Sequence, residues 1–272
     1  RFARLVEGAG RAVAALPDGR LGIAPHSLRA VAPGDFAALA ALTDGPMHMH
    51  LAEQLPEVAE VQAAYGARPV EWALANIDLS ARWCLIHLTQ MLPHETDALA
   101  RTGAVAGLCP LTEASLGDGI FDGVRWMEGG GAISVGSDSN IRISLAEELR
   151  QLDTSQRLRD HSRAALATVE LSTGRRVFEG VARGGAQAAG RGTGAIEAGQ
   201  PADLLALDMS HPDLEGLGGD TILDSFVFAG GNEMVADVWT GGRHVVTGGR
   251  HVARDAIAAG YRAAVRDLRA SA

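Results

Sequence analysis

The stretch "PMHMHLAE", residues 46–53, is a short apolar run that carries two histidines toward its end. In a strand, His48 and His50 share one face, while the two methionines and Leu51 share the other. A longer pattern with helical spacing follows directly, "PEVAEVQAAYG" at residues 56–66. The stretch therefore predicts a strand–helix unit with polar side chains at the carboxyl end of its strand.

The same unit recurs along most of the chain. Short apolar runs each end in a polar or reactive residue, and a helical pattern separates each run from the next; these end residues are His26, His50, His87, Cys109 and Asp138. Strand–helix repetition predicts a parallel α/β sheet, since a parallel crossover needs a helix to return the chain. About five units are visible, fewer than a complete (β/α)8 barrel of the TIM type needs. Either about three units precede Arg1, or the sheet is open.

The pattern changes after about residue 192. "GTGAIEAGQPADLLALD" alternates and turns, "EMVADVWTGGRHVVTGGRHV" is typical of β-hairpins with Gly-Gly turns, and "RDAIAAGYRAAVRDLRA" predicts a closing helix. We predict two parts: residues 1–191 form a partial (β/α) barrel, and residues 192–272 form a small β-rich segment that ends in a helix.

Composition excludes several classes of partner. The formal net charge of −9 argues against nucleic-acid binding, which needs a basic face. No run approaches the roughly 18 apolar residues of a membrane span, so we expect no membrane insertion. Cys84 and Cys109 each lie inside an apolar run and predict reduced, buried thiols in a cytoplasmic protein.

The strand ends predict a hydrolytic metal centre. His26, His50, His87 and Asp138 converge on one rim, and Glu53 lies one turn beyond His50. A metal lowers the pKa of bound water toward about 7, and nearby carboxylates carry its proton. Each residue also has an ordinary alternative: a buried histidine is more often a satisfied core residue, and Asp138 fits a turn.

Arg29 follows His26 by three residues, just past a strand end. A guanidinium at this rim would hold a carboxylate through two parallel hydrogen bonds. Capping or solvating the start of a helix is the alternative role for Arg29.

Six motifs, in chain order, carry a family resemblance: "APHSLRAV", "HMHLAEQ", "WCLIHLT", "GLCPLTEASLGDGIFDG", "SVGSDSN" and "SLAEELRQLDTSQRL". They resemble the formimidoylglutamate deiminases of the amidohydrolase superfamily, and "GTGAIEAGQPADLLALD" is similar to the carboxyl-terminal part of that superfamily's small β-sandwich. The resemblance implies the last five or so units of a (β/α)8 barrel with one zinc ion, or another divalent metal such as Fe²⁺. It also implies hydrolysis of N-formimidoyl-L-glutamate, a small acidic amidine, to N-formyl-L-glutamate and ammonia in histidine degradation.

The resemblance also implies roles for individual residues. His50 would be a metal ligand, and Asp138 both a ligand and the activator of the attacking water. Glu53 would shuttle the proton to the imino nitrogen, and His87 would orient water and intermediate. His48 would face the barrel lumen and support the site without binding the metal.

For the substrate, His26 and Arg29 match the family positions that hold the carboxylates of its glutamate part. The superfamily's first His-x-His metal motif belongs upstream of these strands, so we expect the chain to be amino-terminally truncated and, alone, impaired in catalysis. Gln90 stands where the family pattern leads us to expect a second histidine.

Two alternatives remain open. A related deaminase could act on guanine or an adenosine derivative, although Arg29 and the aromatic content of 4% favour a small acidic substrate. A non-catalytic partial barrel that serves as a binding module is the second alternative. The resemblance to this superfamily leads us to expect a homodimer.

Overall fold

The fold contains two four-stranded sheets, one parallel and one antiparallel. The structure is a computed structural model that describes residues 1–140 and 142–271. The parallel sheet has the strand order β1-β2-β3-β4: β1 (Met47–Leu51), β2 (Trp83–His87), β3 (Val105–Leu108) and β4 (Ala132–Val135). The antiparallel sheet consists of β5 (Leu204–Leu207), β6 (Val235–Thr240), β7 (Arg243–Thr247) and β8 (Arg250–His251).

Helices connect the strands of the parallel sheet and surround it, as the strand–helix repetition predicts. In chain order they are α1 (Phe2–Val13), α2 (Phe36–Ala40), α3 (Leu55–Tyr65), α4 (Pro69–Asn76), α5 (Pro93–Ala100), α6 (Pro110–Leu116), α7 (Gly123–Glu128), α8 (Leu145–Asp160) and α9 (Thr173–Ala188). Two more accompany the second sheet, α10 (Asp220–Phe228) and α11 (Arg254–Ala270). Short 3₁₀ turns cover Pro33–Asp35, Pro212–Leu214 and Asn232–Met234.

The alternation of faces along β1 is confirmed. Met47, Met49 and Leu51 are at most 1% exposed and lie in the main hydrophobic core. His48 and His50, on the other face, are only partly buried. Burial of the apolar face fixes the register of β1, because a slip by one residue would move its methionines out of the core.

The first of the five predicted units forms less regular structure than expected. Its run "RLGIAPHS" makes a single parallel bridge, between Ile23 and Met47, instead of a strand. The segment still accepts backbone hydrogen bonds from His48 and His50. Pro25 has no N–H to donate, so the ladder is interrupted at that residue. The parallel sheet therefore shows four strands and one edge segment among the described residues.

The predicted hairpin and closing helix of the last third are confirmed as β6–β7, β8 and α11. The boundary between residues 191 and 192 falls in the segment that joins α9 to β5 and stays a prediction. Across residues 1–140 and 142–271, no helix combines the length and the apolar character that crossing a membrane requires.

Glu148 of α8 gives the fold a buried carboxylate. It is 2% exposed, and its Oε2 accepts the N–H of Leu111 at 2.9 Å, which ties α8 to the start of α6. Its Oε1 is buried and has no hydrogen-bond partner within residues 1–140 and 142–271. Burial raises the pKa of Glu148 from 4.5 to about 7, although the Leu111 hydrogen bond acts in the opposite direction.

This pKa predicts a pH-dependent effect of Glu148→Gln. The folded state keeps the proton to higher pH than the unfolded state, so the stabilisation is complete below about pH 4.5 and is lost as pH rises through about 7. Gln keeps an acceptor for Leu111 and cannot ionise. We expect the Tm of the variant, relative to the original chain, to rise by about a few degrees between pH 5 and pH 8. Exposed Glu128→Gln controls for loss of a negative charge; an equal rise there would contradict the prediction.

Candidate active site

Strained backbone marks the carboxyl ends of three parallel strands. Ala52 after β1, His87 and Leu88 at the end of β2, and Asp138 after β4 have φ angles of 53°, 75°, 55° and 48°. Residues other than glycine rarely adopt this left-handed region, and such residues cluster at functional sites. Two of the four, His87 and Asp138, are residues that the sequence assigned to chemistry.

Three histidine rings line up along this edge. The ring centroids of His26 and His50 are 5.0 Å apart, and those of His50 and His87 are 5.6 Å apart with nearly parallel planes. The structure thus brings together three strand-end histidines that lie far apart in sequence, as the sequence predicted.

His50 is oriented as a metal-ligating histidine would be. Its Nδ1 lies 3.0 Å from the carbonyl oxygen of His26, which can only accept a hydrogen bond. The proton of a neutral ring is therefore held at Nδ1, and Nε2 carries the lone pair. Metal-bound histidines usually donate their other N–H in this way, so the ring fits the ligand role implied by the resemblance.

Asp138 adds a carboxylate at the same rim. Its side chain is exposed, and Ser139 Oγ approaches its Oδ1 at 3.5 Å. Its charge is close enough to act on the pKa of both His87 and Cys109. With His50 it supplies two donors of the kind that zinc prefers, half of a tetrahedral set.

Glu53 is held by hydrogen bonds to its backbone. Buried Glu57 accepts the N–H of Ala52 at 2.9 Å and that of Glu53 at 2.7 Å, and Thr89 Oγ1 donates to the Glu53 carbonyl. The Glu53 side chain points toward β2, with Oε1 3.6 Å from His87 Nε2. Burial raises the pKa of Glu53, and the neighbouring charge of His87 opposes that rise. A raised pKa suits a carboxyl that accepts and returns a proton near neutral pH.

His87 lies between two carboxylates. Its Nδ1 is 3.2 Å from Glu113 Oε1, opposite the side that faces Glu53, and the ring is 1% exposed. Burial alone lowers the pKa of His87, but the hydrogen bond to Glu113 and the charges of Glu53, Glu113 and Asp138 together outweigh it, and the pKa is raised.

His87, Cys109 and Glu113 also form a compact group of possible metal ligands, with ligand atoms within 4.8 Å of one another. Glu113 Oε1 is already engaged by the Cys109 N–H at 2.8 Å and by His87. Burial raises the pKa of the Cys109 thiol far above its usual range, which disfavours the thiolate that a metal requires. We therefore interpret the group as a hydrogen-bonded cluster.

The loop after α6 closes one side of the site. Asp118, 5% exposed, accepts a hydrogen bond from Gln54 Nε2 at 2.7 Å, and Gln90 Nε2 donates to its backbone carbonyl. Gln90, found where a histidine was expected, therefore joins the end of β2 to this loop. The charge of Asp118 also contributes to the raised pKa of Glu53.

Two residues lie apart from the histidine row. The Arg29 guanidinium is 3.6 Å from Glu60 of α3, so its charge is directed toward that helix. His48 Nε2 lies 2.8 Å from the carbonyl of Ala188 at the end of α9. His48 thus links β1 to α9, and the role of Arg29 in substrate binding stays a prediction.

Three buried glutamates were not predicted from the sequence, although they share a sequence pattern: Glu57, Glu95 and Glu113. Each follows a proline in the first turn of a helix that begins just after a strand, in "LPE", "LPHE" and "CPLTE". Each carboxylate accepts a backbone N–H from just before its helix, and in α5 this contact is part of a capping box. Proline plus glutamate after an apolar run would have identified all three.

Comparison with known proteins agrees with this geometry. A profile of the amidohydrolase family matches residues 3–245. Formimidoylglutamate deiminase of Pseudomonas aeruginosa is 46% identical over 229 residues, which are 83% of this chain and 51% of that protein. The chain thus spans about half the length of this relative.

Two solved structures are similar in fold. An amidohydrolase from Brucella melitensis gives a TM-score of 0.93 at 44% identity, over 98% of this chain and 59% of that one. An adenosine deaminase from Xanthomonas campestris with bound zinc gives a TM-score of 0.81 at 25% identity, over 96% of this chain and 61% of that one. Among the described residues, the four parallel strands and their helices correspond to part of the TIM-type (β/α) barrel of these amidohydrolases.

Proposed function

The chain belongs to the amidohydrolase family, and we propose that it contributes the proton-transfer side of an active site that deiminates N-formimidoyl-L-glutamate. The observation that carries the proposal is the series Glu53, His87 and Glu113 beside the Nδ1-anchored imidazole of His50. The identity of 46% with formimidoylglutamate deiminase supports this substrate above other amidines. The products would be N-formyl-L-glutamate and ammonia, in histidine degradation.

In the proposed reaction, water adds to the formimino carbon and the bond from that carbon to the terminal nitrogen breaks. Glu53 takes a proton from the water and delivers it to the imino nitrogen, which gives a tetrahedral intermediate with a hydroxyl and an amino group. When the intermediate collapses, Glu53 passes the hydroxyl proton to this amino group, the carbonyl of the formyl group forms, and the nitrogen leaves as ammonia. His87 lies beside Glu53 and orients the water and the tetrahedral intermediate. The raised pKa of Glu53 makes its carboxylate a stronger base toward the water, and a pKa nearer neutral pH suits a group that must both accept and return a proton.

We propose zinc as the metal, or another divalent ion such as Fe²⁺, with His50 and Asp138 as ligands. When bound, it would lower the pKa of a coordinated water and polarise it for attack. The free Nε2 of His50 and the exposed Asp138 carboxylate fit this role. His50 and Asp138 are half of a tetrahedral ligand set, so by themselves they should hold the metal weakly.

For the substrate, we propose that His26 and Arg29 hold the carboxylates of the glutamate part. His26 already lies in the histidine row, with Nδ1 3.0 Å from Ser27 Oγ. Arg29 would have to exchange Glu60 for a substrate carboxylate, which is a modest change because the ion pair is largely exposed. We also propose a cytoplasmic homodimer that binds neither nucleic acid nor membranes.

A substrate panel tests the proposed function. The complete reading frame that contains this chain, loaded with zinc, should release ammonia from N-formimidoyl-L-glutamate with a kcat/KM at least about 100-fold above that for adenosine, S-adenosylhomocysteine or guanine. Preference for a purine would favour the related deaminases instead. Absence of hydrolysis on every compound, together with no upstream His-x-His motif, would favour a binding module.

A further inference from the structure

We propose that Glu113 is a positioning residue that holds the imidazole of His87 in one tautomer and one orientation. The inference rests on the proposed function, because it concerns how His87 presents Nε2 to the reacting groups. It extends that function by adding a residue of α6 that makes no contact with the substrate in the proposed reaction.

Two N–H donors converge on one oxygen of Glu113. Its Oε1 accepts the backbone N–H of Cys109 at 2.8 Å and lies 3.2 Å from His87 Nδ1. Glu113 is 4% exposed, so water competes little for this oxygen. A carboxylate offers only lone pairs, and the proton of this contact must therefore belong to His87 Nδ1.

The consequence is at the opposite nitrogen. With Nδ1 protonated, the neutral ring has its lone pair at Nε2, which lies 3.6 Å from Glu53 Oε1. Nε2 can then accept a proton or a hydrogen bond from the reacting groups, while Glu53 keeps its own proton-carrying role. Without Glu113, the neutral ring is free to protonate Nε2 and present a donor in place of an acceptor.

The backbone shows why His87 needs an external constraint. Its φ of 75° lies in the left-handed region, at the strand end where the ladder stops. The His50 ring stacks against the His87 ring, with the two centroids 5.6 Å apart, but stacking does not distinguish the two nitrogens of the His87 ring. Glu113 is itself fixed, because the same oxygen caps the start of α6 through Cys109. The hydrogen bond from Cys109 thus fixes Glu113 at the start of α6, and Glu113 in turn fixes the orientation of the His87 ring.

The test compares three variants of the complete protein. Glu113→Leu removes the acceptor, and Glu113→Gln keeps a neutral one. Glu95→Leu is the matched control, because Glu95 is 1% exposed and also caps a helix, with Arg68 instead of a histidine as its second partner. The readouts are Tm, kcat and KM for the amidine, and the ¹⁵N shifts of the His87 ring, assigned by the peak lost in His87→Gln.

We expect the original protein and Glu113→Gln to keep Nδ1 protonated. In Glu113→Leu we expect a shift toward Nε2 protonation and a kcat about 10- to 100-fold lower with little change in KM. Glu95→Leu should lower Tm to a similar extent without moving the tautomer. An unchanged tautomer in folded Glu113→Leu would overturn the proposal. Because the ring shifts need no turnover, this readout still decides the inference if the protein fails to hydrolyse the amidine.

Discussion

Glu53→Gln is expected to lower kcat for deimination by about 10³-fold or more while the metal content stays the same. Glutamine fills the same space and keeps the backbone contacts to Glu57 and Thr89, since these involve only main-chain atoms of residue 53. It cannot accept the proton of the attacking water and release it to the leaving nitrogen. The defect should therefore lie in proton transfer, with KM changed far less than kcat.

The measurement is ammonia release by the zinc-loaded complete protein, together with zinc determined on the same sample. Glu170→Gln, the same substitution at an exposed position, is the control and should behave like the original protein. Ammonia release by Glu53→Gln within a few-fold of the control would remove Glu53 from the mechanism. Loss of zinc along with activity would instead indicate that Glu53 supports the metal.

The position of the site could be predicted from sequence because strand ends are a topological property. An apolar run followed by a helical pattern predicts a parallel strand, and parallel strands bring their carboxyl ends to one edge. His26, His50 and His87 followed from this rule without knowledge of any distance. The apolar pattern around Ile23 predicts a full strand, but only one bridge forms there, because Pro25 interrupts the hydrogen-bond ladder.

The partners of these residues could not be predicted in the same way. Glu113 reaches His87 across 26 residues, and Gln54 reaches Asp118 across 64. Such contacts depend on how α6 and its following loop pack against β1 and β2, which periodicity does not encode. Arg29 shows the reverse case, because its place after a strand end suggests a rim residue, whereas its guanidinium lies beside Glu60 of α3.

The second large expected effect is on stability, and it arises where α9 packs against β4. Gly184 is buried where α9 meets Ile133, and a Cβ at this position would lie 2.0 Å from the Ile133 carbonyl oxygen and 2.7 Å from its carbonyl carbon. Both atoms belong to the backbone of β4, so no side-chain rotation can relieve the overlap. We expect Gly184→Ala to lower the free energy of unfolding by about 3 kcal/mol or more, at the upper end of overpacking effects.

Gly185, the next residue of the same helix, is the matched control. A Cβ there would have no atom of the described part of the chain within 4 Å. Alanine favours a helix over glycine by about 1 kcal/mol, so Gly185→Ala should leave stability unchanged or raise it slightly. Urea unfolding should therefore show Gly184→Ala to be less stable than Gly185→Ala by about 3 kcal/mol or more, because the gain in helix propensity is common to both variants and the difference is the overpacking cost. Equal stabilities would mean that α9 does not lie against β4 at Ile133, and the contact of His48 with Ala188, which depends on the same placement, would fail with it.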